Sequence, residues 1–189
     1  MDFAAGELIV KDTTSELVEF QATQIKGMYK ASSEIDGDNV AVVKIVQDDV
    51  NVRGDDMDMQ GELKLNPSVV WKLDVDAGAA KVDMDLKKFR ISDLTLDAGA
   101  TDIMVRLGSL EDRVNLDIDA GVSNLEIVIP ESMAAQIKSN TLVASVDFQG
   151  FTSMGNGLYQ TPDFETNPKK VFVNIDAAAA AVTVRRQAD

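Results

Sequence analysis

The chain of 189 residues carries 18 Lys and Arg against 32 Asp and Glu, a formal charge of −14, and it contains neither His nor Cys. The missing residue types exclude a Ser-His-Asp triad, a Cys nucleophile, a zinc site of the usual kind, a disulfide and His-ligated haem. The charge repels phosphate backbones and anionic lipid, so neither nucleic acid nor an acidic membrane surface is an expected partner.

The apolar share is 45% but aromatic residues are only 5%, so the core must be built from Val, Ile, Leu and Ala. No apolar run approaches the roughly 18 residues that a spanning helix needs, and no direct membrane insertion is expected of this chain. At the start, Ala4-Ala5-Gly6 followed by Glu7-Leu8-Ile9-Val10 reads as a strand after a tight corner, without the basic and apolar regions of a signal peptide. Leu17–Thr23, Met28–Ser32 and Val40–Val46 are alternating or β-branched runs that predict strands. Gly54–Gly61 is polar and acidic and predicts an exposed loop ahead of Pro67 and Trp71.

From Trp71 onward the chain repeats itself. Trp71–Leu86, Asp93–Leu107 and Asn115–Ile129 share the order apolar-x-apolar-Asp-Ala-Gly-small, followed by a second alternating run. A degenerate copy, Phe172–Val184, closes the chain with alanines in place of the glycine. Gly78, Gly99 and Gly121 are spaced by 21 and 22 residues. Each unit reads as strand, corner, strand, because apolar residues alternate on both sides of a small-residue break. A repeat of this length fits one coil of a stack with strands about 4.8 Å apart. Leu96, Ile118 and Ile175 are then expected to line one inward row, and the three glycines to stack in a column.

Between the third and last copies, Glu131–Ile137 is compatible with one helical turn or with a strand from Ala134, and Val143–Phe148 alternates. Gly155-Asn156-Gly157 predicts a hairpin turn and lacks the following helix and Lys of a phosphate loop. Pro162 and Pro168 bracket a surface loop before the final strand. The prediction is an all-β, single-domain β-solenoid, right-handed β-helix-like, with coils of 21–22 residues and Asp-Ala-Gly corners. Within the one domain, 1–68 is a β-rich N-terminal part, 69–130 holds the regular repeats, and 131–189 holds the hairpin and closing repeat.

These corners, with Trp71 ahead of the first, Ile129-Pro130 ending the third and Tyr159, Pro162 and Phe164 before the last strand, resemble the toastrack domain. That is the C-terminal domain of LiaF-like cell-envelope stress regulators, and it also occurs in adhesin-like bacterial proteins of the same superfamily. The resemblance runs from about Ala4 to Val184 and departs at Ala4 and Ala177–Ala181, where glycines are usual. It implies an extracytoplasmic or cell-surface, non-enzymatic module, in many members anchored by preceding transmembrane helices that are absent from this chain. It implies a protein partner, in the LiaF-like case a membrane-bound sensor of cell-wall damage. No ligand-binding residues follow from it, because the shared positions are structural.

Several residues invite a chemical reading. Asp74/Asp76, Asp83/Asp85, Asp117/Asp119 and Asp55/Asp56/Asp58 are oxygen-rich enough to raise Ca²⁺, yet acids at period two also describe a solvated strand face, and calcium-roll and EF-hand spacings are absent. Solvated acids are the preferred reading, with no metal and no cofactor. Asp76, Asp97, Asp119 and Asp176 precede the corners and are expected to cap turn N–H groups beside Gly78, Gly99 and Gly121. Paired carboxylates could serve glycoside hydrolysis, but one Trp and two Tyr offer little for a sugar platform, and no catalytic residue is assigned. A carbohydrate-binding or carbohydrate-active surface protein is the alternative reading. Lys169-Lys170 and Arg185-Arg186 form a small basic cluster for solvent or an acidic partner, and open solenoid ends make self-association a further expectation. Chelation of Ca²⁺ is expected to leave the melting temperature unchanged in calorimetry; a fall would assign the acids a metal.

Overall fold

A computed structural model describes residues 1–23, 29–35, 41–47 and 60–189. The acidic loop with Asp55, Asp56 and Asp58 therefore lies outside the described residues. Twelve strands and no helix are present among those described: β1 (Asp2–Thr13), β2 (Val18–Thr23), β3 (Tyr29–Ile35), β4 (Ala41–Gln47), β5 (Gln60–Leu65), β6 (Val70–Leu86), β7 (Arg90–Leu107), β8 (Arg113–Pro130), β9 (Ala134–Phe148), β10 (Thr152–Gly155), β11 (Leu158–Gln160) and β12 (Lys170–Gln187). They form one curled sheet in the order β10-β11-β9-β12-β8-β7-β6-β1-β4-β3, with β5 on β1 and β2 on β5.

The curl follows from chain length. β6 has 17 residues and would be roughly 55 Å long if straight, yet it pairs in parallel with β7, which begins at Arg90 after only Lys87–Phe89. A connection of that size reaches at most about 14 Å, so each long strand must fold back and return its end to the start of the next. The fold-back lies at the Asp-Ala-Gly corner. In β6 the inward side chains are Val75 and Ala77, then Ala80, Val82, Met84 and Leu86, while the consecutive Gly78 and Ala79 both face out. Two outward residues in succession switch the alternation, so both arms of the strand point their apolar rows into one interior.

The core is the sum of those rows. Leu96, Ile118 and Ile175 are register partners across β7, β8 and β12, and each is at most 3% exposed. The glycine column is also present. A Cβ on Gly99 would lie 2.9 Å from the Gly78 carbonyl oxygen, and one on Gly121 would lie 3.1 Å from that of Gly99. Ala4 lies between residues paired with Ala77 and Ala79, which sets it level with Gly78 where the repeat had lost its glycine.

Chain order and stacking order part company at both ends. β12 inserts between β8 and β9, paired in parallel with both, so the closing repeat is an inner strand and β9 lies outside it. β9 begins at Ala134, which decides the helix-or-strand ambiguity in favour of the strand. The hairpin β10–β11 turns through Gly155, Asn156 and Gly157, all at positive φ of 88°, 52° and 74°. At the other end β1 pairs with β6, and its outer edge is shared by β4 and β5. Gly99→Ala is expected to cost about 1–3 kcal/mol, because the neighbouring atom is backbone and yields little. Leu96→Ala should cost about 2–5 kcal/mol. Urea unfolding checks both, and an unchanged midpoint for either would remove its proposed part in the stack.

Candidate functional site

In-register pairing copies each sequence position into a row across the sheet. Asp2 pairs with Asp76, Asp76 with Asp97, Asp97 with Asp119 and Asp119 with Asp176, and Asn140 continues the row on β9. All five carboxylates are exposed on the outward face beside the corners. The predicted residues Asp76, Asp97, Asp119 and Asp176 are thus brought together, about 4.8 Å from strand to strand. Asp2 is the member that the repeat search missed. Its signal was present: Asp2 stands two residues before Ala4, as Asp76 stands two before Gly78.

The expected capping role is not what these side chains do. Among the described residues the carboxylates of Asp97, Asp119 and Asp176 take part in no hydrogen bond or ion pair, and they project to solvent. The parallel ladder flanks each corner: Ala98 pairs with Ala120 and Ala100 with Val122, while Gly99 and Gly121 stand between those pairs. Asp76 instead faces Asp2. Its pKa is raised, first by desolvation, then by a carboxyl–carboxylate hydrogen bond to Asp2 and by the charges of Asp2 and Asp74, while the N-terminal ammonium opposes them.

The flanking rows are satisfied differently. Asp93 accepts from Asn115 Nδ2 at 2.9 Å and Ser92 Oγ at 2.8 Å and lies 3.4 Å from Lys72 Nζ; these partners hold its pKa below the usual value. Asn174 Nδ2 donates to Asp117 Oδ1 at 2.6 Å. On the other arm, opposite charges alternate and pair: Lys81 with Glu7 at 2.9 Å, Arg106 with Asp83 at 2.6 Å and Arg185 with Glu126 at 2.8 Å. The aspartate row is therefore an uncompensated stripe beside a balanced face.

The other candidates resolve into structural roles. Trp71 is half-buried and donates its indole N–H to the Asn66 carbonyl at 2.8 Å. Of the basic cluster, Lys169 donates to the Ser109 carbonyl at 2.7 Å, Lys170 lies over the Phe164 ring at 4.9 Å, Arg185 pairs with Glu126, and Arg186 donates to the carbonyls of Glu131 and Met133. Arg186 also stands 3.6 Å from Asp163, which accepts from Asn167 at 2.9 Å. Burial pushes the Asp163 carboxyl up, but the Asn167 and Thr161 hydrogen bonds and the Arg186 charge outweigh it and leave the pKa lowered. At the C-terminus Asp189 clasps the seam, accepting from Ser109 Oγ at 2.9 Å and from the Ser132 hydroxyl, and these bonds lower its pKa. A shallow depression of about 260 Å³ lies there between Arg106, Leu110, Val128 and Asp189. Among the described residues no group of three or more acids is arranged to hold a metal ion.

Opposite pKa shifts give opposite pH responses. For Asp76 the folded state holds its proton more tightly, so its penalty is present at neutral pH and vanishes as pH falls through the raised value. For Asp163 the favourable contribution is present at neutral pH and is lost as pH falls through the lowered value. Asp76→Asn is expected to raise the melting temperature at neutral pH and Asp163→Asn to lower it, both differences shrinking in acid. Melts across the acid range check this, and pH-independent differences would refute the assignment.

Comparison with known proteins agrees with this architecture. The family model described as "N-terminal domain of toast_rack, DUF2154" matches residues 1–128. A search of curated proteins found no match. Among solved structures, a Clostridium sporogenes protein whose name proposes a role in cell adhesion superposes with a TM-score of 0.90 at 20% identity, over 98% of this chain and 90% of that one. At that identity the likeness speaks for the fold alone. The chain belongs to the toast-rack family.

Proposed function

We propose that the chain is a non-catalytic interaction module displayed outside the cytoplasm, a single domain from 1 to 189 that holds a protein partner on the outer faces of a β-solenoid. In this reading each fold-back strand with its short connection is one coil of 21–22 residues, right-handed as parallel β crossovers nearly always are. Asp76, Asp97, Asp119 and Asp176, with Gly78, Gly99 and Gly121, are its corner residues: the glycines admit the close approach of neighbouring coils, and the aspartates keep the corner solvated. Cell adhesion, or contact with a membrane-bound sensor of envelope stress, is the setting proposed. The toast-rack membership and the adhesion-related name of the Clostridium sporogenes relative support it.

One observation carries the reading. The buried rows fix the backbone, and the outward side chains are thereby held in register at strand spacing, an arrangement suited to presenting a surface. A carbohydrate platform is less well supported, since Trp71 is engaged with Asn66. Cross-linking of the purified chain in bacterial envelope extract, followed by mass spectrometry, should recover a discrete protein partner. Turnover of cell-wall or pectic glycans in an activity screen, lost in Asp97→Asn and Asp119→Asn, would refute the non-catalytic reading.

A further inference from the structure

The sheet ends unevenly at β9. On its first arm Gln136–Lys138 are paired by β11, and β10 follows as a second added strand. On its second arm Val143–Phe148 pair with β12 on one side, and among the described residues no strand pairs with them on the other. With strands about 4.8 Å apart and packed layers about 10 Å apart, this leaves a step roughly two strands wide beside a bare backbone edge.

The apolar row at that step is also unfinished. Leu8, Val82, Ile103, Leu125, Val182 and Val146 are successive register partners, and all are at most 3% exposed except Val146, which is 41% exposed. The same inward position is buried wherever another strand flanks it and open only here. Next to it Phe148 packs edge-on against Tyr159 of β11 at 4.8 Å and Phe151 at 6.4 Å, which gives the step an apolar floor.

Exposed strand edges are normally guarded by charge, proline or a bulge. From Ser139 to Phe148 only Asp147 is charged, there is neither Pro nor Gly, and the pairing with β12 runs without a register shift. Of the other outer strands, β3 carries Lys30 and Glu34, and β10 has four residues.

We propose that the second arm of β9 is a strand-addition site whose occupant is one extended segment of a partner protein, apolar at alternate positions and basic between them. The proposal rests on the interaction-module reading and names where the partner binds. Backbone hydrogen bonds to β9 supply affinity, and alternate apolar side chains complete the rows at Val146 and Phe148. Basic residues complement the outward Asp147 and the overall charge of −14. A second copy of the chain fits less well. It would bring a second Asp147 and a second net charge of −14 to the same edge.

The test uses the whole chain and a fluorescent peptide of alternating Val and Lys, with anisotropy as the readout. The peptide should bind, and Val146→Lys, or N-methylation of the peptide along one edge, should weaken it by about tenfold or more. Val70→Lys, at a similarly exposed valine of β6, should leave binding unchanged. Circular dichroism confirms that Val146→Lys is folded. No binding, or binding indifferent to Val146→Lys and to N-methylation, would overturn the proposal. Concentration-dependent association of the chain abolished by Val146→Lys would overturn it in favour of a second copy. A partner recovered from envelope extract equally well by Val146→Lys would overturn the site while leaving the interaction-module reading intact.

Discussion

The structure depends on one backbone constraint, the close approach of successive strands at the fold-back. Where Gly78, Gly99 and Gly121 stack, a methyl group would stand about as far from the next carbonyl oxygen as a hydrogen-bond donor does. In β6 the two outward residues that follow Ala77, Gly78 and Ala79, reverse the side-chain alternation and let both arms bury their apolar face. Without the fold-back, a parallel sheet with connections as short as Lys87–Phe89 would be geometrically impossible. Parallel pairing in most proteins needs a long crossover; here the strand is its own crossover.

Register then multiplies every sequence choice. An inward Leu or Ile at one position becomes a buried row, and an outward Asp becomes a line of carboxylates. The consequences differ between the arms. On the second arm, opposite charges alternate across neighbouring strands and pair at 2.6–2.9 Å, as Arg106–Asp83 and Lys81–Glu7 do. On the first arm the row from Asp2 to Asp176 repeats one sign. Exposure to solvent keeps that repulsion small for each pair. The raised pKa of Asp76, partly desolvated against Asp2, marks where the cost concentrates.

How far the molecule was legible in its sequence is clearest at particular residues. Leu96, Ile118 and Ile175 were predictable as one row because the Asp-Ala-Gly triplet fixes their phase. Asp2 was harder to find, since its corner has Ala4 in place of glycine and only the offset betrayed it. The clasp of Asp189 on Ser109 and Ser132 and the anchoring of Arg186 by the Glu131 and Met133 carbonyls carried no local signal, because the partners lie more than 50 residues away in the chain. The capping role expected of the corner aspartates failed for a related reason. It treated each corner as an isolated turn, whereas parallel pairing resumes one residue past the glycine, at Ala100 and Val122.

The sequence by itself determined the repeat, the all-β class and the face to which each alternating residue belongs. Those properties are local: side-chain alternation, turn residues and the size of glycine act within one repeat. Only the tertiary structure decided that β12 slides between β8 and β9, that β1 pairs with β6 and carries β4 and β5 on its outer edge, and that among the described residues β9 is left with one arm covered and one bare. Strand order is a competition between near-equivalent edges. Residues far apart in the chain decide it by how much of the apolar row each arrangement buries, and no local pattern encodes that comparison.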